Sequence, residues 1–419
     1  MWVDSPAKIH PQAAAVALSL VTVHGSWERA ARGALLLDPD GSARTTIFAE
    51  MSALAARTGA INLGQGFPDY PGPAEVLEVA QREIAAGNNQ YPPGRGIASL
   101  REAISEHQRR FYGLEFDADR EVLVTAGATE ALAATILALI DDGDEVVTFE
   151  PFYDEYGACI GLARGVHKTV PLAAPDFQPD LDRLRATVTD KTRLIVVNTP
   201  HNPTGAVFSR EVLETIVDLA ERHDAYIVTD EVYEHLHYDG SVHVPIATLP
   251  GARERTITIS SGGKTFNTTG WKIGWLTAPA PLVDAVLAVK QFLTYVNGSP
   301  FQPAIAAGLS LPDEFFASLA SDLAGKRDLL AGGLRAAGFG VTLPRAGYFI
   351  VADARPLGFT DGADLCRRLP ELAGVVGVPI SAFCLPENAD QYSPLVRFAF
   401  CKRLDVLEEA SQRLASLTP

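Results

Sequence analysis

Cysteine is scarce in this chain. Its 419 residues hold four, Cys159, Cys366, Cys384 and Cys401, widely spaced, with no Cys-x-x-Cys pair and no histidine cluster nearby. That pattern excludes a disulfide scaffold and a structural zinc site, and it fits a reducing, cytoplasmic setting. Positive charge is also short, with 35 Lys and Arg against 51 Asp and Glu and a formal net charge of −16. The balance argues against nucleic acid or an anionic membrane as a partner, so any phosphate must be held by local groups. Long apolar runs are missing too. The longest near the start, Ala13 to Val21, is interrupted by Ser19 and far too short to span a bilayer. Only Lys8 supplies positive charge before it and no small-residue cleavage site follows, so export is not expected. There is no internal repeat and no low-complexity tract. What remains is an ordinary globular composition, 47% apolar and 21% charged, long enough for two or three domains around a large core.

Residues 1 to about 42 end in a turn-like Leu-Leu-Leu-Asp-Pro-Asp-Gly and read as an ill-ordered or loosely docked extension. From Thr45 the spacing of Ile47, Phe48, Met51, Leu54 and Ala55 predicts an amphipathic helix up to Thr58-Gly59. Ile61 to Asp69 reads as a short strand running into a loop with Gly64 and Gly66, followed by a helix from Ala74 to Ala86 and a Gly/Pro-rich loop presenting Tyr91. The middle of the chain alternates strand and helix patterns, the signature of a mostly parallel sheet sandwiched by helices. Strands are expected at 121–125, 145–149, 194–198, 226–229, 256–259 and 273–277, with a helix over 209–223 capped by Ser209. Beyond about residue 310 come a long helix over 319–337, strands near 341–343, 348–351 and 396–400, and a closing amphipathic helix. The fold class is therefore α/β: a large domain over 75–310, a smaller α+β domain from 45–74 and 311–419, and the extension 1–44.

Four polar features stand at the carboxyl ends of expected strands, where open α/β sheets place ligands. Gly127-Ala128-Thr129 sits at a strand-to-helix turn whose free amides suit a phosphate. Asn202 lies in a loop stiffened by Pro200 and Pro203. Asp230 ends an apolar strand, with Tyr233 three residues on, and a carboxylate buried there needs a cation or proton donor. Lys264 follows two small glycines on a loop after the 256–259 strand. Alone, each has an ordinary alternative: a turn, a self-satisfied Asn, a surface lysine. Together they describe a site for pyridoxal 5′-phosphate, which needs a lysine for its aldehyde, an acid for its pyridine nitrogen and an anchor for its phosphate.

With these residues in register from about Thr45 to the C-terminus, the chain resembles the fold-type I pyridoxal-phosphate enzymes, specifically the class I/II aminotransferases. The resemblance implies that Lys264 is the Schiff-base lysine, Asp230 the partner of the ring nitrogen, and Tyr233 and Asn202 the donors to the ring oxygen. It implies that Gly127, Ala128, Thr129, Ser261 and Lys272 hold the phosphate and that Tyr153 stacks on the ring. Arg397 and Gly66 would meet the substrate α-carboxylate along with Asn202. Tyr91 would reach the phosphate of a neighbouring subunit, implying a homodimer with shared sites. Phe48 lies near a position where the family places an aromatic, but its contact is not assignable from the sequence. The stretches Asn62-Leu-Gly-Gln-Gly-Phe-Pro-Asp69, Asn89-Gln-Tyr-Pro-Pro-Gly94 and Gly263-Lys-Thr-Phe266 are similar to the kynurenine/glutamine/methionine aminotransferase branch. Across 45–419 the chain is similar to actinobacterial N-succinyldiaminopimelate aminotransferases. The implied reaction moves an amino group from an L-amino acid to 2-oxoglutarate by a ping-pong route; a pyridoxal-phosphate β-lyase is the alternative. A transcription regulator built on the same domain would need a basic helix-turn-helix segment, which this acidic chain lacks.

Overall fold

The computed structural model describes residues 23–417. The Ala13 to Val21 run and Lys8 lie outside the described residues. Eight strands form the central sheet in the spatial order Val122–Ala126, Ile273–Thr277, Thr256–Ser261, Tyr226–Asp230, Thr192–Asn198, Glu145–Glu150, Val166–Ala173 and Gln178–Pro179. The five from Thr256–Ser261 to Val166–Ala173 are mutually parallel. Ile273–Thr277 runs against both of its neighbours, and Gln178–Pro179 turns back at the far edge. Leu194 to Val197 and Ile227 to Val228 are buried, as expected for strands with helices on both faces. This is the α/β, fold-type I arrangement expected from the sequence.

Strand direction decides where the chemistry sits. Val122–Ala126, Thr192–Asn198, Tyr226–Asp230 and Thr256–Ser261 point the same way, so their carboxyl ends share one edge. Because Ile273–Thr277 is reversed, its leading residue, Lys272, arrives at that same edge.

A second, antiparallel sheet is ordered Gly340–Val341, Phe349–Asp353, Leu395–Ala399 and Val378–Pro379. The helices Asp313–Ala336 and Leu404–Ala415 pack together over a core that includes Leu330, Leu334, Phe398 and Leu407. Ile61–Asn62 pairs in parallel with Val375–Val376, and the Ile47–Thr58 helix packs on Gly362–Ala373. The early segment is thus built into structure made by the end of the chain.

Three sequence expectations require correction. The extension is not loose throughout: Ser26–Gly33 is a helix packed on Asp154–Leu162, and Leu37 bridges to Ala43. Its docking uses glycines rather than an apolar stripe, because a Cβ at Gly33, Gly157 or Gly161 would overlap the facing backbone. Lys264 is not on an open loop but in a single helical turn, Gly262–Thr265, closed by the Phe266 amide donating to the Gly262 carbonyl at 2.9 Å. The long helix starts earlier than expected, at Asp313 directly after Pro312 and with acidic residues in its first turn, while the helix after the phosphate turn begins at Gly127 itself, whose φ of 73° suits glycine.

Candidate active site

At the shared strand edge lies a cavity of about 340 Å³. Its walls include Gly66, Gly127, Ala128, Thr129, Tyr153, Asn202, Asp230, Tyr233, Ser261, Lys264, Lys272 and Arg397, residues spread over more than 330 positions of sequence. Tyr91 is not among them. It is 82% exposed and stands edge-on to Tyr295, ring centroids 5.8 Å apart.

Lys264 is presented by the turn that follows the Thr256–Ser261 strand. Its Nζ lies 5.9 Å from the Tyr233 ring centre and 5.8 Å from that of Tyr348. Burial holds its pKa below the ordinary lysine value; the Asp230 carboxylate opposes that shift, while Lys272 and Arg397 reinforce it. A lysine in that state offers a neutral amine more readily than a surface lysine does.

Asp230 ends its strand fully enclosed. Burial raises its pKa, and the hydrogen bond from Tyr156, the Val232 amide and the charge on Lys264 pull it back. The Tyr156 hydroxyl donates to Oδ2 at 2.7 Å and the Val232 amide to Oδ1 at 3.3 Å. The neighbouring strand braces the same corner: Asn198 Nδ2 donates to the Asp230 carbonyl at 2.9 Å, and Asn198 Oδ1 accepts from the Asn202 amide at 2.7 Å. Asn202 is aimed in turn, its Oδ1 accepting from Arg397 Nη1 at 3.1 Å.

One end of the cavity is formed by the start of the Gly127–Leu139 helix, whose first amides have no intrahelical acceptors and suit an anion. Lys272, in the left-handed region at φ 54°, donates to Thr129 Oγ1 at 2.9 Å. A Cβ at Gly127 would press on the Lys272 side chain at 3.1 Å, and one at Gly274 would overlap the Gly127–Ala128 backbone. Glycine at both positions keeps this cradle open.

Arg397 is buried on the second sheet. Besides Asn202 it serves the Gly64 carbonyl, from Nη2 at 2.8 Å, while its Nε is buried with no partner. Aromatic rings surround the guanidinium: Phe349 at 4.0 Å, Phe48 at 5.1 Å and Phe383 at 5.2 Å from Cζ. Desolvation brings its pKa down to about 10, which leaves it cationic at neutral pH. Phe48, not assignable from sequence, thus lines the cavity and faces Arg397. Gly66 is closely covered by Phe349, where a Cβ would overlap the ring, and its carbonyl accepts from the Tyr348 hydroxyl at 2.7 Å.

Sequence reasoning missed Tyr156, Asn198, Glu155 and Phe349. Tyr156 and Glu155 belong to the helix opening after the Glu145–Glu150 strand, another carboxyl end at the same edge, and that position was the available signal. Asn198 ends a strand already identified. Phe349 carried none, since it reads as one more apolar strand residue.

Residues 58–414 match the family model for aminotransferase class I and II. A probable N-succinyldiaminopimelate aminotransferase of Mycobacterium tuberculosis is 52% identical over 382 residues, covering 89% of this chain and 96% of the relative. A methionine aminotransferase of Escherichia coli is 39% identical over 374 residues (89% and 96%), and human kynurenine–oxoglutarate transaminase 3 is 37% identical over 396 (88% and 87%). Among solved structures, N-succinyldiaminopimelate aminotransferase from Mycobacterium tuberculosis superposes with a TM-score of 0.87 over 89% of this chain and 97% of that one, at 52% identity. With the lysine, aspartate, anion cradle and arginine on one cavity and this similarity along most of the chain, the protein belongs to the aminotransferase class I and II family, pyridoxal-phosphate-dependent transaminases of fold type I.

Proposed function

We propose that this transaminase takes its amino group from N-succinyl-LL-2,6-diaminopimelate and passes it to 2-oxoglutarate, as a step of lysine biosynthesis. The 52% identity to the Mycobacterium tuberculosis relative supports that donor. Kynurenine, glutamine or methionine as donor is the second reading, favoured by the methionine and kynurenine relatives. The observation that carries the chemistry is the placement of Lys264, Asp230 and Arg397 on one cavity.

The residues present fit the cofactor: an open glycine-lined cradle stands at a helix start, and an arginine Nε and a carboxyl side chain are buried without partners. Pyridoxal 5′-phosphate supplies an aldehyde that condenses with amines and a ring that accepts the electron pair released at the amino acid's α-carbon. In our reading Gly127, Ala128, Thr129, Ser261 and Lys272 hold the phosphate. Asp230, fixed by Tyr156, keeps a proton on the ring nitrogen. Tyr153 covers the ring face; Asn202 and Tyr233 serve its oxygen. Lys264 Nζ would be the amine that holds the aldehyde and the base that receives the donor's α-proton. Arg397, Gly66 and Asn202 orient the α-carboxylate.

The chain division proposed with this reading is 75–310 for the large domain and 45–74 with 311–419 for the small one, supported by the pairing of Ile61–Asn62 with Val375–Val376. We also propose a cytoplasmic homodimer in which Tyr91 completes the neighbour's phosphate site. Four buried free cysteines and an exposed apolar patch of Phe292, Leu293, Tyr295 and Tyr91 support it. Among the described residues no helix is long and apolar enough to cross a membrane.

Two measurements test the reading. Lys264→Ala is expected to remove both turnover and the yellow absorbance that pyridoxal phosphate gains on a lysine; if both persist, the assignment of Lys264 is wrong. A screen of N-succinyl-diaminopimelate, kynurenine, glutamine and methionine against 2-oxoglutarate is expected to give the highest kcat/KM for the first. A flat profile, or release of a β-substituent without an oxo-acid acceptor, would replace the proposed donor or reaction.

A further inference from the structure

Glu155 opens the helix that follows the Glu145–Glu150 strand and lines the candidate cofactor cavity. Both of its carboxylate oxygens are buried, and neither has a hydrogen-bond partner. The Thr129 hydroxyl stands beside it, its oxygen accepting from Lys272 Nζ at 2.9 Å, and its pull on the Glu155 proton is the weakest of the neighbouring influences, far behind burial. A carboxylate ion without a donor on either oxygen is poorly solvated, whereas the neutral acid is tolerated. A glutamate built this way keeps its proton.

We propose that Glu155 is a proton-carrying acid of the cofactor pocket and makes loading of the anionic cofactor proton-coupled. The inference rests on the reading of this cavity as the pyridoxal-phosphate site.

The surroundings fix the sign. On its own helix Glu155 faces Asp154, Tyr153, Tyr156 and Cys159; from the central sheet comes Asp230, from the facing helix Thr129, and from the start of the reversed strand Lys272. The Ser26–Gly33 helix on the outer side directs Arg29 and Arg32 to a separate cavity with Gly157 and Gly161. Desolvation first, then Asp230, pushes the Glu155 pKa up to about 8, and Lys272 is the one cation among these groups that pulls it down. A phosphate seated on Lys272 brings about two negative charges, which outweigh the single positive charge of a ring nitrogen protonated beside Asp230, so the Glu155 pKa rises further on loading. Between the two values, loading takes up a proton. By linkage, affinity then falls as pH rises above about 8, by up to about tenfold per pH unit.

The test uses the full chain stripped of cofactor and titrated with pyridoxamine 5′-phosphate, which binds without condensing with Lys264. Calorimetry at pH 8.5 in two buffers of different ionisation enthalpy counts the protons taken up, and Kd is followed from pH 6.5 to 9.5. Wild type is expected to take up about half a proton or more beyond Glu155→Gln, as one group of pKa near 8 allows. The ratio of wild-type to Glu155→Gln Kd should grow from near one at pH 6.5 to about tenfold at pH 9.5. Glu155→Ser removes the carboxyl by a different side chain and should share the flat profile, which guards against a folding defect in either variant. Equal proton counts and parallel Kd curves in wild type and variants would overturn the role of Glu155 while leaving the site intact. Absence of binding by every chain at every pH would overturn the reading of the cavity itself.

Discussion

Arg397 and Asp230 are buried charges whose partners are only partly supplied by the protein. Arg397 is enclosed by three phenylalanine rings, with its Nε unpaired. Its planar fork serves Asn202, Gly64 and, in our reading, a substrate carboxylate at once, which a lysine ammonium does not reproduce. Arg397→Lys should therefore lower kcat/KM for amino donors by about ten- to a hundredfold, the effect of losing one or two charge-assisted hydrogen bonds, mostly through KM. Steady-state kinetics with cofactor in excess checks this. For Asp230 the sign follows from its surroundings. Burial raises its pKa and the Tyr156 hydroxyl lowers it, so Tyr156→Phe raises it further. In our reading the carboxylate form is the one that serves the cofactor, so the acid limb of the kcat/KM against pH profile should move to higher pH, and an unmoved limb would show that Tyr156 does not tune Asp230. The aspartate was legible in the sequence as a polar residue closing an apolar strand. The tyrosine was not, because the contact joins the start of one helix to the end of a strand 74 positions later.

At the level of elements, the two backbone contacts that matter most are made by glycines. The Ser26–Gly33 helix lies on Asp154–Leu162 so closely that Gly157 has room for no Cβ against the Gly33 carbonyl. Gly157→Val should undock this helix, at a cost of about 1–3 kcal/mol typical of overpacking. Arg29, half-buried within this docked helix, would then become open to trypsin. Limited proteolysis followed by mass determination should show the new cut in the variant and protection in the parent. Since the helix carrying Tyr153, Glu155 and Tyr156 is the one being braced, cofactor retention should weaken in parallel. The extension looked loose in the sequence because sequence patterning detects apolar stripes, and this crossing is made by small residues. Gly274 acts likewise at the other wall, letting the reversed strand approach the Gly127–Ala128 backbone.

At the scale of the whole molecule, the corner around Tyr91 concerns a second copy of the chain. Tyr91 stands out in solvent against Tyr295, and this corner is tied together by Lys290, which donates to the Gly94 carbonyl at 3.1 Å and to the Tyr295 carbonyl. Asn297 Nδ2 reaches the Lys272 carbonyl at 2.7 Å, so the apolar patch adjoins the anion cradle. Light scattering should give twice the 44.8 kDa chain mass. If Tyr91 serves the neighbour's site, mixing Lys264→Ala chains with Tyr91→Ala chains should restore activity above that of either alone, because each mixed dimer then holds one intact site. No gain on mixing, with dimers still formed, would place Tyr91 outside the site.

The sequence by itself determined the elements and the chemical inventory. Alternation of β-branched strands and amphipathic helices fixes an α/β sheet, and a lysine, an aspartate, an asparagine and small residues at strand ends specify the cofactor class, because these are local patterns of side-chain type. Tertiary structure alone decided the reversal of Ile273–Thr277 that delivers Lys272, the hydroxyl on Asp230, the rings around Arg397 and the unpartnered carboxyl of Glu155. Each depends on strand direction or on contacts between distant segments. Apolar periodicity records which face of an element is buried, and it carries no information about which neighbour buries it or in which direction that neighbour runs.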